Sequence, residues 1–179
     1  KFDFYLTSMK LFYTLFFFFF NVLNATEINI SSIITLENKI PNKCGVNFQI
    51  LDSKSYDISV VIKKDSVKGT LTSFSVKSKE GKIRNANIFT SSENINSIIE
   101  TNNSSTNDYF IESVSEENKT SKFFQELLIS GAKILVNDEN YEITGPIDSK
   151  VRLEYLFCTG EMFLPNYEKN KWRNTRLKI

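Results

Sequence analysis

Between Val46 and Val76 the chain alternates apolar and polar residues with a period of two, the pattern of strands that bury one face. Val46, Phe48 and Ile50 form the first run, Ile58, Val60 and Ile62 the second, and Thr72, Phe74 and Val76 the third. The polar stretches "DSKS", "KKDSVKG" and "KSKEG" break them apart. A weaker fourth run, Lys82 to Phe89, keeps Ala86 and Ile88 on one face. Short, regular spacing between breaks predicts an antiparallel meander. Ahead of it, Thr26 to Lys43 carries Ile28, Ile30, Ile33, Ile34 and Leu36 without one clear period. Pro41-Asn42 is expected to turn the chain just before Cys44, which opens the first strand.

The pattern changes after Phe89. Thr90 to Asp108 is polar and acidic and is expected to be a long loop, with one helical turn within it as the alternative and Tyr109 to Val114 a short strand beyond it. Thr120-Ser121 is the expected helix cap, because a hydroxyl there accepts an orphan backbone N–H. Phe123, Phe124, Leu127 and Leu128 then form an apolar stripe at helical spacing. Gly131 is the stop, since glycine takes the left-handed conformation cheaply. Ala132 to Val136 and Tyr141 to Thr144 predict a hairpin around "NDEN". Asp148 or Ser149 caps a last helix with Val151, Tyr155, Cys158 and Met162 near one face, frayed at Gly160. The predicted fold class is α+β: an antiparallel β-meander or sandwich-like sheet with two short helices in the carboxyl-terminal half.

One stretch fits neither period. Leu11 to Phe20 is apolar, follows Lys10, and ends in five consecutive phenylalanines, Phe16 to Phe20. Asn21 and Asn24 interrupt it, so it falls short of the roughly 20 apolar residues a spanning helix wants. A basic start, a short apolar run and Ala25 before a cut describe a secretory signal, with Met9 as its expected start. An uncleaved amino-terminal anchor and a buried core helix are the alternatives. The expected organisation is residues 1–25 upstream and signal, 26–165 a single domain, and 166–179 a basic tail. The expected location is periplasmic or secreted.

Charge is segregated. Lys54 to Arg84 holds eight basic and three acidic residues, whereas Glu93 to Glu117 holds six acidic and no basic ones. The tail from Asn166 holds five basic residues and one acidic. An anionic surface meeting the basic strands or the tail is a weak partner expectation. The competing reading is a solvated sheet face opposite an acidic loop. No specific nucleic acid is expected.

Histidine is absent. Its absence removes imidazole acid–base pairs, the serine–histidine triad and the common zinc sets. No glycine-rich phosphate loop occurs. "NDEN", Asn137 to Asn140, has calcium-type oxygens without the glycine and spacing of the known loop. Glu154 and Glu161, seven apart, are the one carboxylate pair set against a glycosidase reading, and solvated helix charges explain them as well. No catalytic residue, cofactor or metal is expected. The aromatic residues Phe48, Phe74, Phe89, Phe123, Phe124, Tyr155 and Phe157 are expected in the core rather than as a base-stacking array.

The order "SKFFQELLISG", "AKILVNDENYEITG", "SKVRLEYLFC" resembles the carboxyl half of small secreted bacterial domains of the invasion-associated locus B type. The likeness covers Ser121 to Cys158 and rests on topology and Gly131. It implies a β-sandwich-like, periplasmic or secreted, non-enzymatic domain.

Cys44 and Cys158 are the only two cysteines. A signal-like start sends the chain to an oxidising compartment, where thiols pair, so one disulfide between them is expected. Two separate buried thiols are the alternative. The functional expectation is a secreted or periplasmic binding or structural module of unnamed ligand. The alternative is a membrane-tethered accessory protein held by Leu11 to Leu23.

Overall fold

The structure, a computed structural model, describes residues 26–164 except 53, 80, 96–101, 105–107 and 115–116. The signal-like segment and the basic tail therefore lie outside the described residues. The elements in chain order are β1 (Glu27–Glu37), β2 (Ile40–Leu51), β3 (Tyr56–Asp65), β4 (Gly69–Ser78), β5 (Ala86–Phe89), β6 (Asn102–Ser104), β7 (Asp108–Val114), α1 (Glu117–Ser130), β8 (Gly131–Val136), β9 (Glu139–Thr144) and α2 (Ser149–Phe163). They form an antiparallel sheet of order β1-β2-β3-β4-β7-β6 and a second of order β5-β8-β9. The fold is α+β, with α1 and α2 in the carboxyl half as the alternation and the helical stripe predict.

Alternation sets the register of the large sheet. Val46 faces Val60, Val60 faces Phe74, and Phe74 faces Ile111, so one buried row crosses four strands. Phe48, Ile58, Val76 and Tyr109 make the next row. A slip of one residue would turn both rows to the opposite face, which fixes the pairing. The lysines between these positions, Lys63, Lys68, Lys77, Lys79 and Lys82, are all exposed, because ammonium groups without partners are costly to bury.

Five boundaries differ from expectation. The segment before Cys44 is a hairpin: β1 and β2 are joined by Asn38 and Lys39, both with positive φ (51° and 65°). Asn tolerates that conformation and makes a two-residue turn without glycine. Pro41 is therefore not a turn residue. It sits inside β2 opposite Leu36, beside the register shift at Thr35/Leu36, where the ladder is already irregular. Cys44 lies within β2 rather than opening a strand. The fourth run shrinks to Ala86–Phe89 and leaves the meander to pair with β8. Finally, α1 begins at Glu117, so Thr120 is not its cap. Thr120 is buried, its hydroxyl 3.5 Å from that of Thr72 on β4. The expected loop from Thr90 contains the short strand β6, paired with β7.

Phe123, Phe124, Leu127 and Leu128 of α1 are buried, and Val151, Tyr155, Cys158 and Met162 of α2 are buried as expected. They join the strand rows in one hydrophobic core. Asp148 caps α2, accepting from Lys150 N–H at 2.8 Å, and the helix passes through Gly160 without fraying. At the α1–β8 corner Gly131 has φ 85°. A β-carbon there would lie 2.0 Å from the carbonyl oxygen of Ile143, so the corner requires glycine twice over. α2 packs on β1 and β2, and the sulfurs of Cys44 and Cys158 lie at bonding distance, 1.99 Å. Among the described residues no helix is long and apolar enough to cross a membrane.

Candidate functional site: a groove between two helices

The two helices run in opposite senses. Phe124 stacks on Tyr155, and four residues later along α1 the carbonyl of Leu128 accepts from the N–H of Ile147, just before α2. Between them lies an open groove of about 1210 Å³. Its floor is apolar: Ile62, Phe124, Leu128 and Tyr155. Its rim carries Ile129 from α1 and Leu153, Leu156 and Phe163 from α2.

The rim residues are exposed: Ile129 54%, Leu153 54%, Leu156 59% and Phe163 48%. Phe157 next to them is 72% exposed. Single exposed leucines are ordinary, but a contiguous patch on one helix beside a cavity marks a binding face. The cause is readable in α2. Its buried residues recur as Val151, Tyr155, Cys158 and Met162 and satisfy the core, while Leu153, Leu156 and Phe157 repeat at helical spacing on another face. Sequence reasoning traced the first stripe and missed the second. The signal was a helix apolar around most of its circumference.

Polar side chains share the lining, and Gln125 stands beside Phe124 midway along it. Thr70, Thr120, Ser121 and Thr159 bring hydroxyls to one end, and Ser149 and Arg152 line the other. Among the described residues Arg152 is the only charged one in the lining. Its Nε is buried and has no hydrogen-bond acceptor among the described residues. Burial also holds the Tyr155 hydroxyl far above its ordinary ionisation range, so it stays neutral. Among the described residues the lining offers no carboxylate, thiol or amine.

The sequence-predicted candidates fall elsewhere. Cys44 and Cys158 come together and tie α2 to β2 behind the groove, Cα to Cα 5.8 Å. Glu154 binds the hydroxyl of Ser32 and lies 3.9 Å from Lys150, so it is a tether to β1 rather than half of an acid pair with Glu161. Two of the four "NDEN" side chains, Asn137 and Glu139, are engaged in cross-links. Asn137 accepts from Arg84 N–H (2.8 Å) and donates to Lys82 O (3.2 Å). Of the aromatic residues expected in the core, Phe48, Phe74, Phe123, Phe124 and Tyr155 are buried, whereas Phe89 and Phe157 are exposed, Phe157 because it lies on the face of α2 turned away from the core.

A second polar cluster locks the β8–β9 turn to the β2–β3 turn. Tyr141 donates to Asp52 at 2.6 Å and lies 2.9 Å from Glu139, while Lys54 pairs with Glu139 at 2.5 Å and Tyr56 donates to it at 3.2 Å. The Lys54 ammonium holds Glu139 below the usual carboxylate range, with Tyr141 and Tyr56 adding to it. Burial pushes Asp52 up, but hydrogen bonds from Tyr141 and from the backbone N–H groups of Lys54 and Ser55 outweigh it and hold it low. Burial, with both carboxylates beside it, drives Tyr141 far up. Each of these groups has a partner, and the cluster is a brace. No family model matches this chain, and no curated protein or solved structure matches it either.

Proposed function

We propose that the chain is a secreted or periplasmic module that binds an apolar partner in the groove between α1 and α2 and carries out no chemistry on it. The observation that carries this reading is the second apolar face of α2. Leu153, Leu156 and Phe163 are exposed beside a cavity of about 1210 Å³, although the core is complete without them. Retained apolar exposure of that kind stands against solubility and is explained by an occupant. The invasion-associated locus B resemblance points the same way, toward a non-enzymatic secreted domain, and the Cys44–Cys158 bond suits an oxidising compartment.

The test is binding of Nile red, an uncharged apolar dye, to the full chain. Saturable fluorescence gain is expected, weakened at least about tenfold by Leu156→Glu, because a charge on the rim forfeits the burial that drives binding. Leu156 is 59% exposed, so the variant keeps the fold. Equal dye binding by the variant would place the apolar site elsewhere and sink the reading. Intact mass after expression in a secreting host tests location, with a mature start near Thr26 expected and a chain retaining Leu11 to Leu23 favouring the tethered form instead.

A further inference from the structure

We infer that the groove takes a single-chain anionic amphiphile of the long-chain carboxylic acid class, with the carboxylate on Arg152 and the chain lying toward Phe163. This rests on the groove being the binding face and adds the chemistry of what fills it. The head position follows from charge. Among the described residues Arg152 is the only charged side chain of the lining. The guanidinium is planar and permanently charged, and its paired N–H groups match a carboxylate as a fork. Neighbouring acids do not fill this role. Asp148 accepts from Lys150 N–H, and Glu154 binds Ser32 and faces Lys150.

The tail position follows from shape. From Arg152 to Phe163 the helix rises about 16 Å at its usual pitch. Along that path lie Leu128, Phe124, Leu156 and Phe163, an apolar trough that suits an extended hydrocarbon. The occupant is argued against two others. A second copy docked through the same face would bury both Arg152 side chains with no lining carboxylate to receive them. A bilayer surface is held by several cations around the apolar face, and among the described residues this lining has one.

The experiment is calorimetric titration of the full chain with tetradecanoate and with tetradecan-1-ol, each below its micelle concentration. Tetradecanoate is expected to bind one site at least about tenfold tighter than the alcohol, the usual scale of a hydrogen bond to a charged group. Removing one methylene should weaken it about fourfold. Arg152→Gln should erase the preference for the acid, Arg152→Lys should restore part of it, and Leu156→Glu should weaken both ligands. Unfolding temperatures of the variants control for folding.

Equal affinity for acid and alcohol in the wild type, or an undiminished preference in Arg152→Gln, overturns the headgroup assignment. Loss of both amphiphiles while Nile red still binds overturns the ligand class and leaves the groove reading standing. No binding of any probe overturns the groove reading as well. Binding to vesicles of anionic phospholipid but not to monomeric tetradecanoate assigns the face to a membrane and overturns the inference. Self-association abolished by Leu156→Glu, without tetradecanoate binding, assigns it to a second copy and does the same.

Discussion

The ring of Phe124 lies stacked on that of Tyr155, centroids 4.9 Å apart and planes inclined by 16°. One ring belongs to α1 and the other to α2, and both are buried, so this contact sets the helix spacing beneath the groove. Phe124→Ala should destabilise the domain by about 3–5 kcal/mol, the range for a buried phenylalanine removed without collapse of the site. Denaturant unfolding measures it. A loss below about 1 kcal/mol would mean that α1 is not anchored through this ring.

The Cys44–Cys158 bond closes a loop of sequence separation 114. A loop of that order contributes at most about 4–5 kcal/mol through the unfolded chain. Cys44→Ser with Cys158→Ser should therefore lower stability by about 2–5 kcal/mol. At about 2–4 °C per kcal/mol for a chain of this size, the melting temperature should fall by roughly 10 °C. Mass spectrometry of the unreduced wild type should show one linked peptide pair and no free thiol.

The brace around Tyr141 predicts a pH profile. Asp52 and Glu139 are held below their ordinary values of 3.8 and 4.5, so their contribution is full above those values and is lost as pH falls through the lowered ones. Lys54 is held above 10.5 by Glu139, and Tyr56 and Tyr141 are pushed above 10.0 by burial and the same carboxylates. The lysine contribution is full below 10.5 and is lost as pH rises through its raised value. The tyrosines cost stability once the unfolded chain ionises above 10.0. Stability should thus be flat near neutrality and fall on both sides. Tyr141→Phe should be less stable than wild type at pH 7, and the gap should narrow below about pH 4, because the variant has less carboxylate depression to lose. Melting temperature against pH measures both, and a gap constant with pH would show that the hydroxyl acts by packing alone.

Gly131→Ala and Gly69→Ala separate two effects. Both glycines have positive φ, 85° and 83°, so each alanine should cost about 1–2 kcal/mol for the left-handed backbone. At Gly69 a β-carbon meets nothing within 4 Å, whereas at Gly131 it would sit 2.0 Å from Ile143 O and 2.7 Å from Gly145 N. Gly131→Ala should be the worse variant by a clear margin in chemical denaturation. Equal losses would mean that the α1–β8 corner yields freely.

What was legible in the sequence was whatever depends on neighbours along the chain. Val46 to Ile50, Ile58 to Ile62 and Thr72 to Val76 alternate, and each lies in a buried strand row. The Phe123–Leu128 stripe and the Gly131 stop appear where the helical period puts them. β1 was obscured because its turn, Asn38-Lys39, has no glycine and Pro41 drew attention away from it. The brace was out of reach, since Tyr141 and Asp52 are 89 residues apart and nothing local ties them. The groove was half legible: Leu153, Leu156 and Phe157 carry a helical period, but only the packing of Tyr155 and Met162 against the core shows that the other face is left over.

The link between Cys44 and Cys158 also makes the domain a closed covalent circuit from the middle of β2 to the middle of α2. β3 and β4 meet at an exposed turn, where Val67 is 90% accessible, and that turn lies inside the circuit. A protease that cuts there does not release a fragment. The two pieces remain one molecule, held at the effective concentration of a tether rather than that of the solution. A nicked population therefore migrates at full mass until a thiol is added, and its two halves can reassociate without finding each other by diffusion.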